Sequence, residues 1–190
     1  MNKVYIEEKT FKNIDFTKKS LDIGEYDYCS FINCNFYEHK LLNIGFSDCT
    51  FTNCNISMAN LANTALRNIK FTNCKMLGLN FEDCNQFGLE IHFKNCILDH
   101  SSFYKLQINN TIFKDSQFQE VDFTECNLKD STFDNCNLSR TVFSRSNIEN
   151  VDFRTSFNYS INLNDNKIKK ARFSSAGIRG LLDNYNIIIE

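Results

Sequence analysis

A five-residue beat runs through nearly the whole chain. It starts at Phe11 and steps through Phe16, Leu21, Tyr26, Phe31, Phe36, Leu41, Phe46, Phe51, Ile56, Leu61, Leu66, Phe71, Met76 and Phe81. After a slip of two residues it resumes at Phe93 and continues through Leu98, Phe103, Ile108, Phe113, Phe118, Phe123, Leu128, Phe133, Leu138, Phe143, Ile148 and Phe153. Of the 19 phenylalanines, only Phe87 and Phe157 miss this comb. Neither an α-helix, at 3.6 residues per turn, nor a strand, at two, asks for such a period. The chain is therefore a repeat solenoid. If each unit is one side of a square coil, residues 20 apart stack, and Phe11, Phe31, Phe51, Phe71, Phe93, Phe113, Phe133, Phe153 and Phe173 form one ladder. A second file runs through Leu21, Leu41, Leu61, Phe81, Phe103, Phe123 and Phe143. With rungs ~4.8 Å apart, about eight coils make a rod on the order of 40 Å long.

All nine cysteines (Cys29, Cys34, Cys49, Cys54, Cys74, Cys84, Cys96, Cys126 and Cys136) stand two residues before a comb position. Ala59, Thr64, Ser101, Thr111, Ser116, Ser131, Thr141 and Ser146 share that phase, so the slot asks for a small side chain. Cysteine serves there as a small buried hydrophobe. Stacked thiols one rung apart exceed the ~3.8 Å Cβ separation of a disulfide, and no Cys-x-x-Cys is present, so free thiols are expected. The flanking Thr52-Asn53, Thr72-Asn73, Thr124-Glu125 and Asp134-Asn135 put polar residues outside and suit tight corners.

The units Cys54-Asn55-Ile56, Ala59-Asn60-Leu61, Cys126-Asn127-Leu128, Cys136-Asn137-Leu138 and Ser146-Asn147-Ile148 resemble the pentapeptide-repeat family, whose consensus is Ala-(Asp/Asn)-Leu-x-x. The resemblance covers roughly residues 9–173. It implies an all-β fold, a right-handed quadrilateral β-helix over residues 1–173, ending in a short helix and strand over residues 174–190.

The beat breaks twice. At 84–92, Gln86 stands where an apolar centre is due and Gly88 can support an unusual backbone angle; this is either a corner bulge absorbed by the stack or a projecting recognition loop. At 155–166, Asn158 takes an expected centre, and Asn164-Asp165-Asn166 reads as an exposed turn. After Phe173 the grammar changes. Ser174 or Ser175 can cap a helix carrying Ile178, Leu181, Leu182 and Tyr185, and Ile187-Ile188-Ile189 reads as a short strand. This tail covers the end of an open stack, and its apolar load exceeds what one rung needs. Ile178, Leu181, Leu182, Tyr185, Ile187, Ile188 and Ile189 are therefore the expected interface of a two-fold dimer. The tail is similar to that of the Qnr branch of the family, in which a C-terminal helix mediates tail-to-tail pairing.

Chemistry is sparse. His39, His92 and His100 have no partners at ligand spacing, the six glycines form no phosphate-cradling loop, and no nucleophile–base pair or cofactor fingerprint occurs. The expectation is a protein that is not an enzyme and takes no metal or cofactor. A formal net charge of −2 argues against direct nucleic-acid binding, and no apolar run has the length of a membrane span, so a cytoplasmic location is expected. Resemblance to the Qnr and MfpA branch implies a DNA-like rod that binds DNA gyrase or topoisomerase IV and protects them from topoisomerase poisons. The candidate acidic partner surface is Asp115, Glu120, Asp122, Glu125, Asp130 and Asp134, wrapped around the rod, whereas Lys167, Lys169, Lys170, Arg172 and Arg179 make the C-terminal end basic. The alternative is a scaffold for a different protein partner.

Overall fold

The computed structural model describes residues 3–188. Each five-residue unit points its centre and its small slot residue inward and its other three residues outward. Four units close a coil, and successive coils stack as parallel rungs. The first face, centred on the phenylalanine ladder, is a sheet of Thr10–Lys12, Ser30–Ile32, Thr50–Thr52, Ile69–Thr72, Ile91–Lys94, Ile112–Lys114 and Thr132–Asp134. The fourth face, centred on Ile6, Tyr26, Phe46 and Leu66, carries Val4–Glu7, Gly24–Asp27, Gly45–Ser47 and Ala65–Arg67. The second and third faces are joined by single bridges twenty residues apart, such as Asn35 to Asn55 and Lys40 to Asn60. The whole is a β-solenoid of stacked square coils, the architecture that the period predicts.

The phenylalanine ladder is continuous from Phe11 to Phe173, with successive ring centroids between 4.4 and 5.6 Å apart, all stacked. A second stack runs Phe81, Phe103, Phe123, Phe143 at 4.4, 4.8 and 5.3 Å. The two files meet edge to face, as at Phe93 and Phe103, so the shaft is filled by offset and T-shaped contacts that suit ring quadrupoles. At the first rung the Lys9 ammonium lies 5.0 Å over the Phe11 ring and covers the end of the ladder.

The slot requires more than small size. Cys34, Cys54, Cys74 and Cys136 each donate from Sγ to the carbonyl of a centre 23 residues earlier, on Phe11, Phe31, Phe51 and Phe113, at 3.4–3.5 Å. Cys49 does the same to Tyr26, Ser146 to Phe123, Thr141 to Phe118 and Ser156 to Phe133. Apolar slot residues Ala59, Leu79, Val121 and Val151 follow the centres Phe36, Ile56, Leu98 and Leu128, whose carbonyls already accept a turn hydrogen bond. A thiol or hydroxyl in the slot therefore adds a bond from one coil to the carbonyl of a centre in the coil before it, as Ser146 does to a Phe123 carbonyl that also accepts the Cys126 N–H. All nine cysteines are free and buried. Burial pushes the Cys49 and Cys136 thiols up to about 12, which makes them poor nucleophiles.

Corners fall two residues after each centre, where the backbone is left-handed. Among the described residues, twenty-seven non-glycine residues have positive φ, and thirteen of them are asparagine, the side chain that best tolerates this region. The amides also join the coils. Asn33 donates to Asn13, Asn53 to Asn33, Asn73 to Asn53 and Asn95 to Asn73, at 2.8–3.1 Å.

Both breaks leave the shaft intact. Register is twenty at Ala65–Asn85 and twenty-two at Ile69–Ile91, so the extra residues lie between them. Phe71 and Phe93 still stack, 5.4 Å apart. Gln86, Phe87 and Gly88 are pushed outward, Gly88 with φ +70°, and half-buried Leu89 packs against the core. At the second break Asn158 does not fill the centre. It turns the chain with φ +60°, and Tyr159 enters the core between Phe153 and Phe173. Asn166 departs from the expected exposed turn: it takes a slot position and donates to the Phe143 carbonyl at 2.9 Å.

Two predictions follow from this interior. Cys54→Ala removes the thiol's bond to the Phe31 carbonyl and lowers stability by ~0.5–1.5 kcal/mol in denaturant titration, whereas Cys54→Ser retains a donor and costs less. His39 occupies a slot among Phe16 and Phe36, with its rings about 6 Å away, and burial lowers its pKa below the ordinary value. The neutral ring is favoured by the fold, so its contribution is complete above about pH 6.5 and declines as pH falls through the lowered value. His39→Ser should flatten the loss of stability seen by thermal melts just below that pH.

Candidate interaction surfaces

With the interior sealed, function has to reside on the outside. Among the described residues no group of three or more His, Cys, Asp or Glu side chains could hold a metal, and no helix is long and apolar enough to cross a membrane.

Asp115, Glu120, Glu125 and Asp130 prove to be the four corners of a single coil, all with left-handed backbone at φ 50–62°. The coils on either side present His100, Lys105, Arg140 and Arg145 at the same corners. Glu120 meets Arg140 at 2.6 Å and His100 at 3.3 Å; Glu125 meets Arg145 at 3.1 Å and Lys105 at 3.6 Å. Asp134 is held by Lys114 at 2.6 Å, and the Lys114 ammonium beside it keeps its carboxyl below the usual range. Asp115 and Asp130 accept only neutral amides, from Asn135 at 2.8 Å and Asn150 at 2.7 Å. Asp122 accepts the Thr124 backbone N–H. Among the described residues, three of the six carboxylates, Asp115, Asp122 and Asp130, therefore form no salt bridge.

The C-terminal segment forms a 3-10 turn at Ser175–Gly177, a single α-helical turn at Arg179–Leu182 and a 3-10 turn at Asp183–Tyr185. Ser174 caps it by accepting the Gly177 N–H. It docks on Tyr159 through two glycines. A Cβ on Gly177 would meet the Tyr159 hydroxyl at 1.8 Å, and one on Gly180 would meet the Tyr159 carbonyl at 1.9 Å. Ile161 N–H donates to Gly180 at 2.8 Å. The expected interface residues separate into two groups: Leu181 and Leu182 are half-buried, with Leu181 against the core, whereas Ile178, Tyr185, Ile187 and Ile188 are exposed. Ile187 and Ile188 are not in a strand, which corrects that expectation; Ile189 lies outside the described residues. The helical spacing had marked one face, but a single turn is too short to present it whole.

The fourth face carries the bulge that the sequence marked at 84–92 and an acidic cluster that it did not single out. Phe87 is 80% exposed at the tip of the bulge. Glu7, Glu8, Glu25, Asp27 and Asp48 gather on the first three coils of that face together with exposed Tyr5 and Tyr28. Their signal is a spacing near 20, which local clustering does not reveal.

The pentapeptide repeat region model matches residues 25–91 and 89–173, and the chain belongs to the pentapeptide-repeat family. No curated protein matches the sequence. Among solved structures, a trypsin-treated variant of QnrB1, described as a plasmid-mediated fluoroquinolone resistance protein, is similar with a TM-score of 0.72 and 19% identity, over 98% of this chain and 92% of that one. A second trypsin-treated QnrB1 variant gives 0.64 at 13% identity, over 99% and 98%. HetL, a pentapeptide-repeat protein involved in heterocyst differentiation regulation from the cyanobacterium Nostoc sp. strain PCC 7120, gives 0.58 at 11% identity, over 90% and 86%.

Gly180→Ala should unseat the cap, because the methyl group collides with backbone and not with a movable side chain. Hydrogen exchange at 175–185 should then accelerate while the coils up to Phe153 keep their protection. Unchanged exchange in the cap would contradict this docking.

Proposed function

We propose that this chain is a non-catalytic cytoplasmic rod that binds DNA gyrase or topoisomerase IV in place of duplex DNA and shields the enzyme from quinolone-type poisons. The observation that carries this reading is similarity along nearly the whole rod to a fluoroquinolone resistance protein. A DNA mimic must offer negative charge to a basic saddle. Asp115, Asp122 and Asp130 supply it, since their partners are neutral donors. The exposed Ile178, Tyr185, Ile187 and Ile188 supply an apolar patch for pairing two copies through residues 174–190.

A second reading, a scaffold for a different protein, is favoured by the compensation of Glu120, Glu125 and Asp134. Such internal pairing weakens the field that a DNA saddle would sense. HetL has the same fold and a role in differentiation, and fold does not fix activity.

A supercoiling assay with and without a fluoroquinolone separates the two. The first reading expects restored supercoiling in the presence of drug, and a loss on the order of tenfold in effective concentration for Asp115→Lys combined with Asp130→Lys, as steering by uncompensated charge implies. No binding, no inhibition and no protection would leave the scaffold. In high salt, where charge contacts are screened, truncation after Phe173 should convert a dimer to a monomer.

A further inference from the structure

The fourth face runs the full length of the rod. Its column of residues just before each centre is Tyr5, Glu25, Gly45, Ala65 and Asn85, then Gln107, Asn127, Asn147 and Lys167. That column counts nine coils, and the fifth is the one that carries the bulge and Phe87. Charge along this face is polarised. The first three coils hold Glu7, Glu8, Glu25, Asp27 and Asp48. The ninth holds Lys167, Lys169 and Lys170, all exposed, and the seventh holds Lys129 beside Asp130. Among the described residues, Glu7, Glu8, Lys167, Lys169 and Lys170 make no ion pair.

A surface acidic at one end, basic at the other and apolar at its midpoint is complementary to itself under a two-fold rotation through that midpoint. We infer that this face pairs two copies of the chain side by side and antiparallel, with Phe87 against the partner's Phe87 on the axis. Coil one then lies against coil nine of the partner, which sets Glu7 and Glu8 opposite Lys167, Lys169 and Lys170. Coil three lies against coil seven, which brings Asp48 near both Lys129 and Asp130. Coil four against coil six is neutral, apart from Arg67, which already leans toward Glu25. The bulge provides the contact a square rod otherwise lacks, because two solvated polar faces have no apolar centre to desolvate. Gly88 packs over the Arg67 side chain and holds Phe87 out from the face. Three juxtapositions are unfavourable: Glu149 in coil eight faces Glu25 and Asp27 in coil two, Asp130 in coil seven faces Asp48 in coil three, and Glu90 in coil five faces its own counterpart.

This interface is separate from the C-terminal patch and does not rest on the gyrase reading. It is the salt-sensitive step of assembly, whereas an apolar C-terminal contact persists in salt. The test is sedimentation of the full chain in about 50 mM and about 500 mM salt. The expected result is an assembly mass that at least doubles at the lower salt. Lys169→Glu with Lys170→Glu should weaken that step by on the order of tenfold or more, and adding Glu7→Lys with Glu8→Lys should restore it. Glu149→Lys should tighten it. Phe87→Cys should cross-link to its own counterpart under mild oxidation, against a silent background of nine buried thiols. A mass independent of salt, reversals without effect, or no cross-link from Phe87→Cys in the associated species would each overturn the proposal. An association that ignores these variants and disappears on removal of 174–190 would also overturn it, while leaving the C-terminal pairing in place.

Discussion

Every coil is tied to the next by backbone N–H to carbonyl bonds at a fixed offset, and those bonds hold only while each centre sits over the centre one coil below. Stacking of the inward rings is what sets that offset. Rings 4.4–5.6 Å apart along nine rungs leave no freedom for one coil to slide on its neighbour. A slip of one residue would turn a polar flank inward and leave a slot donor without its carbonyl. The packed shaft therefore determines the outside of the molecule as firmly as the inside. Each exposed side chain has its neighbour chosen for it, twenty residues away in either direction.

This constraint explains the electrostatics. Acids that are close in sequence, from Asp115 to Asp130, are delivered to four different corners, so they cannot make a stripe. Their nearest neighbours are the residues above and below them, and at two corners those include Arg140, Lys105 and Arg145. The result is two ladders, His100–Glu120–Arg140 and Lys105–Glu125–Arg145, that hold adjacent coils in register. Exposed pairs of this kind contribute little to stability individually. Their larger effect is to remove negative charge from the potential that a partner would feel.

The interior was legible because backbone geometry imposes its period. Phe11 to Phe173 could be aligned by counting, and the small slot at each cysteine followed from the same count. What counting missed was the reason for the thiols. Cys54 and Cys74 each donate to a centre carbonyl one coil back, and that contact links residues 23 apart, which a five-residue count does not relate. Counting also failed at Asn158, where the chain turned one residue early and Tyr159 became the core residue. At the C-terminus, helical spacing grouped Ile178 with Leu181, but the close approach of Gly177 and Gly180 to Tyr159 sets a tilt that buries only the leucines. The surface was least legible. Glu7 and Lys170 share a face, yet nothing local in the sequence relates them.

The bulge shows how such a rod can acquire a specific contact without losing its core. Two extra residues inserted into a helix shift everything that follows to a different face. Here the coil absorbs them at one corner, and Phe93 lands over Phe71 as though they were absent. The insertion has nowhere to go except outward, and it takes an aromatic ring with it. An exposed phenylalanine costs solvation and adds nothing to a shaft that is already filled, so folding does not account for it. It stands at the middle coil of the one face whose two ends carry opposite charge, and that placement gives the ring a use that the interior does not.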